Sequence, residues 1–182
     1  METESLTDSA HALFSSRGLH QVFAEDVMRI DLTAADLKPV LPQDATLTEW
    51  SAESAPRFHA VYRASFRDRP GFPDDPPAEW IADYAEDDEF RPGWSLLITI
   101  PDLGDVGFVT VTVGWIVQVG VDPRARGRGL ATALMTEALA RMTSSEAWLN
   151  VNVDNPGAAA VYRRIGFTHA GRRARYRTGL AS

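Results

Sequence analysis

The sequence predicts a mixed α/β fold, and three observations carry that expectation. Three β-rich runs follow one another at residues 94–100, 106–113 and 115–121, and the last two are joined at Thr112–Gly114 tightly enough to form a hairpin. From residue 130 to 142 the apolar residues Leu130, Leu134, Ala138 and Met142 recur every four positions, with Glu137 and Arg141 elsewhere, which is the pattern of an amphipathic helix. A strand-like run at 147–153, a helix-like run at 158–165 stopped by Gly166, and a β-rich tail at 167–177 then alternate. Strand runs followed by strand–helix alternation make a mixed sheet with helices packed on it.

The first half supplies the remaining elements. A polar lead to Ser9 precedes a short helix at 10–17 closed by Gly18, and a β-like stretch occupies 21–32. Residues 33–45, with Pro39 and Pro42, read as a linker. A strand at 46–50 follows, and Phe58, Val61, Tyr62 and Phe66 stand near helical spacing within 56–66. Residues 67–77, rich in Pro and Asp, form a loop, and 78–85 another short helix. At 182 residues with 45% hydrophobic content the chain suits one domain with an appendage and is too short for two full domains.

Composition removes several function classes. No cysteine is present, which excludes thiolate chemistry and fits a reducing compartment, and His11, His20, His59 and His169 are too scattered for metal-ligand spacing. The acidic, polar start is unlike a signal peptide and no apolar run approaches membrane-spanning length, so the expectation is a cytoplasmic protein with no membrane partner and no metal. The net charge of −7 is unevenly spread: residues 1–121 hold 21 Asp/Glu against 8 Lys/Arg, and residues 122–182 hold 4 against 10. A basic end attracts phosphates or nucleic acid, an acidic end attracts amines, and solvated faces are the plain alternative for each.

One internal repeat stands out. A shift of 148 places residues 10–22 over 158–170, with Ala10 on Ala158, Ala12 on Ala160, Phe14 on Tyr162, Gly18 on Gly166 and Leu19 on Phe167. So long a period points to duplicated domains and not to solenoid units. The expectation is that residues 1–43 are an extension left over from the end of a first domain, with the main domain at 44–182. A boundary within a longer chain is the alternative.

The stretch Gly-Val-Asp-Pro-Arg-Ala-Arg-Gly-Arg-Gly-Leu-Ala at 120–131 is the strongest functional signal. A strand ending at Val121, a Pro-bearing turn, and Gly127 and Gly129 just before a helix make a helix N-terminus lined with free N–H groups. Such a terminus attracts anions. The two glycines admit an anion to the backbone, and Arg124, Arg126 and Arg128 add positive field. A diphosphate suits this design. The stretch lacks the Gly-Lys-Ser/Thr ending of a nucleoside triphosphate loop and the third Gly or Ala of a dinucleotide loop; a basic loop that merely caps a helix is the other reading.

Arg124-x-x-Gly127-x-Gly129, with the preceding Val-Gly-Val-Asp-Pro and the following Leu-Ala, resembles the coenzyme A signature of the GNAT superfamily of N-acetyltransferases. Asn155-Pro-Gly-Ala158, Tyr162 and Gly166-Phe167 resemble that family's second signature, and the similarity covers about residues 44–178. The resemblance implies the GNAT fold, a mixed, mostly antiparallel sheet flanked by helices. It also implies acetyl-CoA as cosubstrate and direct transfer of acetyl to a primary amine of a small molecule or peptide. The backbones of Val119 and Val121 would bind the pantetheine arm. Amides of Arg126, Gly127, Arg128, Gly129, Leu130 and Ala131 would hold the pyrophosphate with Arg124 nearby, and Asn155 would face the pantetheine. Tyr162 resembles the general acid that protonates the departing thiolate; packing on the last helix is its other reading. A backbone N–H near Val121 would stabilise the oxyanion. The N-terminal repeat adds a likeness to tandem GNAT proteins such as the mycothiol synthases.

The acceptor side is quieter. Members of the family the chain resembles often carry Glu or another polar group on the strand occupied here by Trp115–Val121, where the one polar side chain is Gln118, which can hold a water but take no proton. Asp68, Asp74, Asp75 and Glu79 read as solvated loop charges and His59 as a surface helix residue. Phe58, Tyr62, Phe66, Phe72 and Trp80 would line the acceptor side. A catalytically silent acyl-CoA-binding or interaction module is the alternative function. Nucleic-acid binding through Arg163, Arg164, Arg172, Arg173, Arg175 and Arg177 lacks any reading motif. The N-terminal segment is open to docking on a sheet edge or to mediating a homodimer.

Overall fold

The computed structural model describes residues 2–3 and 5–178. Eight strands and five α-helices follow one another as β1 (Glu2–Thr3), α1 (Asp8–Ser16), β2 (Leu19–Asp31), β3 (Thr46–Glu49), α2 (Ala55–Phe66), α3 (Pro77–Ala85), β4 (Leu96–Ile100), β5 (Gly104–Thr112), β6 (Trp115–Val121), α4 (Leu130–Arg141), β7 (Glu146–Asn152), α5 (Pro156–Ile165) and β8 (Thr168–Thr178). The class is the expected mixed α/β. The two-residue β1 has no counterpart in the sequence reading, being too short to show any period. The run expected from residue 94 starts two residues later, because Pro92–Trp94 winds into a 3-10 turn and Ser95 Oγ donates to the Arg91 carbonyl at 3.0 Å. No helix among the described residues is long and apolar enough to cross a membrane.

The chain divides into two compact units, residues 32–147 and residues 1–31 with 148–182. In the larger, β3, β4, β5 and β6 pair antiparallel in that order. One face of this sheet receives α4: a Cβ on Gly107 would meet Leu134 at 3.0 Å. The other face receives α2 and α3, whose Phe58, Tyr62, Trp80 and Tyr84 join Trp50, Phe90, Leu97 and Phe108 in one buried cluster. Aromatic pairs there lie 4.8–6.5 Å apart and mostly tilted or edge-on, the geometry that aromatic rings favour.

The smaller unit orders its strands β1, β8, β2 and the body of β7. Its backbone repeats with the 148-residue period of the sequence. Thr7 Oγ1 accepts from Ala10 N at 3.1 Å to cap α1, and Asn155 Oδ1 accepts from Ala158 N at 3.2 Å to cap α5. Gly18 and Gly166 end the two helices in left-handed conformation, with φ +72° and +117°. The strands that follow pair antiparallel, with Glu25 opposite Arg173, itself a pair at that same separation. Each strand also carries one extra residue. Val22 bulges between Gln21 and Phe23 on β2, and Ala170 bulges between His169 and Gly171 on β8.

Candidate coenzyme A loop and acyl-transfer site

In the larger unit β6 carries the pieces expected to meet the cosubstrate. Its pairing with β5 alternates, and Asp122 N donates to Val106 O at 2.8 Å, so the even-numbered residues of β6 spend their backbone groups on β5. Val119 and Val121 are the intervening residues, and their N–H and C=O groups point away from β5. The Val121 carbonyl accepts from Arg126 Nε at 3.2 Å.

Beyond β6 the chain turns through the 3-10 segment Pro123–Ala125. Asp122, buried to 6% side-chain exposure, caps this turn by accepting from Arg124 N at 2.8 Å and binds the Arg124 guanidinium at 2.7 Å. Hydrogen bonding from Arg124 holds the Asp122 carboxyl below the usual carboxylate range and raises Arg124 in turn. Two of the three arginines expected to serve the loop are thus committed to the protein. Arg124 closes on Asp122, while Arg126 spans the carbonyls of Val121 and, at 3.0 Å, of Ser65 in the last turn of α2. Arg128 makes no side-chain hydrogen bond or ion pair among the described residues.

Gly127 and Gly129 hold φ of +78° and +77°, and a Cβ on either would meet nothing within 4 Å. Gly129 is the N-cap of α4, whose first intrahelical bond runs from Ala133 N to Gly129 O. Among the described residues the amides of 127–132 donate to no other part of the chain. Leu130 is buried and anchors the helix start, while Ala131 is half-buried. An open, left-handed turn ending in a row of undonated amides can accept a phosphoryl anion without rearranging.

In the smaller unit Asn155 is the cap of α5, so its Oδ1 is occupied by a helix amide. Tyr162 lies in the last turns of α5, buried at 9% exposure and 6.2 Å from the Phe167 ring, and its carbonyl accepts from both Gly166 N and Phe167 N.

On the α2 and α3 face, Phe58, Tyr62 and Trp80 are buried and Phe66 and Phe72 partly so; all five belong to the aromatic cluster. His59 corrects its expectation. It is buried at 3% exposure on α2, packs 5.5 Å from the Trp80 ring, and its Nε2 bonds to the Asp75 carbonyl at 3.0 Å. A single histidine inside a helix gives no sequence signal of whether its face is covered. Asp74 is held by Arg63, and Asp68 is largely exposed. Burial pushes the Tyr84 phenol well up despite its 3.0 Å bond to Thr110 Oγ1, so it stays protonated. Two side-chain oxygens on this face have no hydrogen-bond partner among the described residues, Ser65 Oγ and Gln118 Oε1. Gln118 was legible; Ser65 was not, because its neighbour Gly120 lies 55 residues away in the chain.

The model of the acetyltransferase (GNAT) family matches residues 44–167. A mycothiol acetyltransferase of Streptomyces scabiei is 30% identical over 159 residues, 77% of this chain and 48% of that protein. The N-alpha-acetyltransferase RimI of Mycobacterium tuberculosis is 41% identical over 58 residues, 32% of this chain and 37% of that protein. The chain therefore spans less than half the length of these relatives. A GCN5-related N-acetyltransferase structure from Sphaerobacter thermophilus superposes with TM-score 0.75 at 28% identity, over 93% of this chain and 56% of that one.

Proposed function

Because the chain belongs to the GNAT acetyltransferase family, we propose that it is an acetyl-CoA-dependent N-acetyltransferase acting on a primary amine of a small molecule or peptide. The observation that carries this reading is the row of undonated amides from 127 to 132, opened by two left-handed glycines with no atom near their missing Cβ positions. The loop fits a pyrophosphate through its backbone and not through a fork of arginines, since Arg124 and Arg126 are spent on Asp122 and on backbone carbonyls. Arg128 remains to add charge. The backbone groups of Val119 and Val121 that point away from β5 would bind the pantetheine amides, the Val121 carbonyl exchanging its bond from Arg126 for one from the cosubstrate, and the Val121 N–H would serve the oxyanion.

In the transfer step the amine lone pair attacks the thioester carbonyl carbon, and the C–S bond breaks. Tyr162 gives its phenolic proton to the departing sulfur, a transfer eased by a phenol pKa of about 10 close to a thiol's of about 8.5. The amine sheds one proton to solvent and the tyrosinate regains one. Asn155 shapes the start of α5 by capping it. We assign residues 1–43 to the end of a preceding GNAT-like domain and 44–182 to the acetyltransferase domain; the caps and bulges that recur at 148 residues support this.

The test is calorimetric titration with acetyl-CoA followed by turnover with a panel of primary amines, on wild type and Tyr162→Phe. Binding with turnover is expected, and Tyr162→Phe should lower kcat about 10- to 100-fold with acetyl-CoA affinity retained. The absence of a carboxylate on β6 favours a second reading, an acyl-CoA-binding module without catalysis. Binding without turnover of any amine would select it.

A further inference from the structure

Gln118 and Gly120 occupy successive positions on the same face of β6, since they stand opposite Thr110 and Phe108 on β5. Thr110 meets Tyr84 and Phe108 belongs to the aromatic cluster, so this face is the one covered by α2 and α3. Ser65 comes down on Gly120 from α2: a Cβ on Gly120 would lie 2.9 Å from Ser65 Oγ. The hydroxyl therefore sits over the strand one same-face step, about 7 Å, from the Gln118 backbone. Ser65 is 6% exposed and among the described residues its Oγ lacks a partner, as does Gln118 Oε1. A buried, unsatisfied polar atom is costly to keep, and alanine would fill the Ser65 position as well sterically. Ser65 is also held in place from the cofactor loop, because Arg126 Nη2 donates to its carbonyl.

We propose that Gln118 Oε1 and Ser65 Oγ form a two-point seat for the nitrogen of a neutral primary amine, each accepting one of its two N–H groups. This assignment rests on the acetyltransferase reading and deepens it. A primary amine has two N–H donors and one lone pair, so a seat that takes both donors leaves the lone pair free to point at the carbonyl carbon. The seat lies on β6, the strand whose Val119 and Val121 backbones serve the cosubstrate in that reading. Neither oxygen takes a proton at neutral pH, so the amine enters already deprotonated and loses its proton to solvent only after the C–N bond forms. The partly buried rings of Phe66 and Phe72 beside the cluster suit an apolar or aromatic substituent on the amine.

The experiment compares phenethylamine with N-methylphenethylamine, which has one N–H fewer, in wild type, Ser65→Ala, Gln118→Leu and the double variant. Acetyl-CoA consumption gives kcat/KM, acetyl-CoA calorimetry gives the cosubstrate affinity, and thermal melting gives stability. Wild type is expected to prefer the primary amine by about 10-fold or more. Each single variant should cut kcat/KM for phenethylamine about 10-fold, and the double variant should bring the two amines within about 3-fold of each other. Acetyl-CoA affinity should hold throughout, and Ser65→Ala should melt no lower than wild type, since its hydroxyl satisfies nothing. A primary-to-secondary ratio unchanged in all four proteins overturns the seat, as does failure of wild type to turn over phenethylamine with acetyl-CoA bound. If wild type fails to bind acetyl-CoA, the acetyltransferase reading falls first and the seat with it.

Discussion

Gly129→Ala isolates the left-handed entry to α4 from every other feature of the loop. Gly129 holds φ +77° and a Cβ there would meet no atom within 4 Å, so the methyl group collides with nothing and only the backbone conformation is charged for it. An L-residue in the left-handed region costs roughly 1–2 kcal/mol. Alanine recovers about 0.4–1 kcal/mol of that by stiffening the unfolded chain. The net loss is about 0–1.6 kcal/mol if the turn keeps its shape, and at roughly 2–4 °C per kcal/mol for a chain of this size the melting point should fall by up to about 6 °C. In that case acetyl-CoA affinity is untouched, because free and bound loops carry the same strain. If the free loop instead relaxes, melting changes little and binding must restore the strain, weakening affinity by about 5- to 30-fold. The two readouts therefore trade against each other, and Gly129→Asn should soften both because asparagine tolerates this region better. Differential scanning calorimetry and acetyl-CoA titration on the same preparations measure them. A Gly129→Ala protein that melts above wild type, as alanine's stiffening of the unfolded chain alone would make it, and binds acetyl-CoA within twofold of it would show that the left-handed turn does not matter, and the amide-cradle reasoning would fail.

Two further outcomes follow from the same region. Asp122 is held below its usual pKa by Arg124, so its contribution to stability is complete above the unfolded carboxylate range near ~4 and is lost as pH falls through the lower folded value; melting against pH should show a decline below pH ~4 that is shallower in Asp122→Asn, and an equally steep acid limb in that variant would contradict the pairing. Gly120→Ala would put a methyl group 2.6 Å from Phe108 Cε1 and 2.9 Å from Ser65 Cβ, an overpacking that costs about 1–3 kcal/mol; melting should drop by several degrees, and an unchanged melting point would mean that α2 does not press on β6 as described.

Features written in local chemistry were legible from the chain. The hairpin at Val113–Gly114 closes where the β-rich runs come nearest, Gly166 ends α5 in left-handed conformation, and the period of leucines and alanines marks α4 to within a residue of its end. The candidate coenzyme A loop was legible as a motif because its glycines and its strand-to-helix setting are contiguous. What the motif did not show is how its arginines are spent. In sequence Asp122 is part of a turn, yet in the structure it neutralises Arg124, and Arg126 reaches a carbonyl 61 residues away. Pairings of that kind depend on packing between elements, as does the burial of His59, and a linear pattern does not encode which face of a helix is covered. The acceptor side was the least legible for the same reason. Its polar atoms come from α2 and β6, and Ser65 is ordinary in sequence until Gly120 brings it onto the strand.

The repeat within the smaller unit separates frame from chemistry. At a spacing of 148 residues the two copies share a capping side chain, a terminating glycine and a bulged strand, all backbone devices that fix where a helix ends and how its strand is kinked. Thr7 and Asn155 are different residues, yet each accepts from the amide three positions on, so the geometry is kept where the identity is not. At the position where α5 carries Tyr162, α1 carries Phe14, whose ring packs 4.9 Å from that of Tyr176 within a small apolar cluster with Ala24 and Ala174. An aromatic ring at that place suffices for packing, and only a phenol can deliver a proton to a leaving sulfur. The α1 copy therefore packs as α5 does but carries no phenol at this position, so of the two copies α5 alone offers the proton donor proposed for the leaving sulfur.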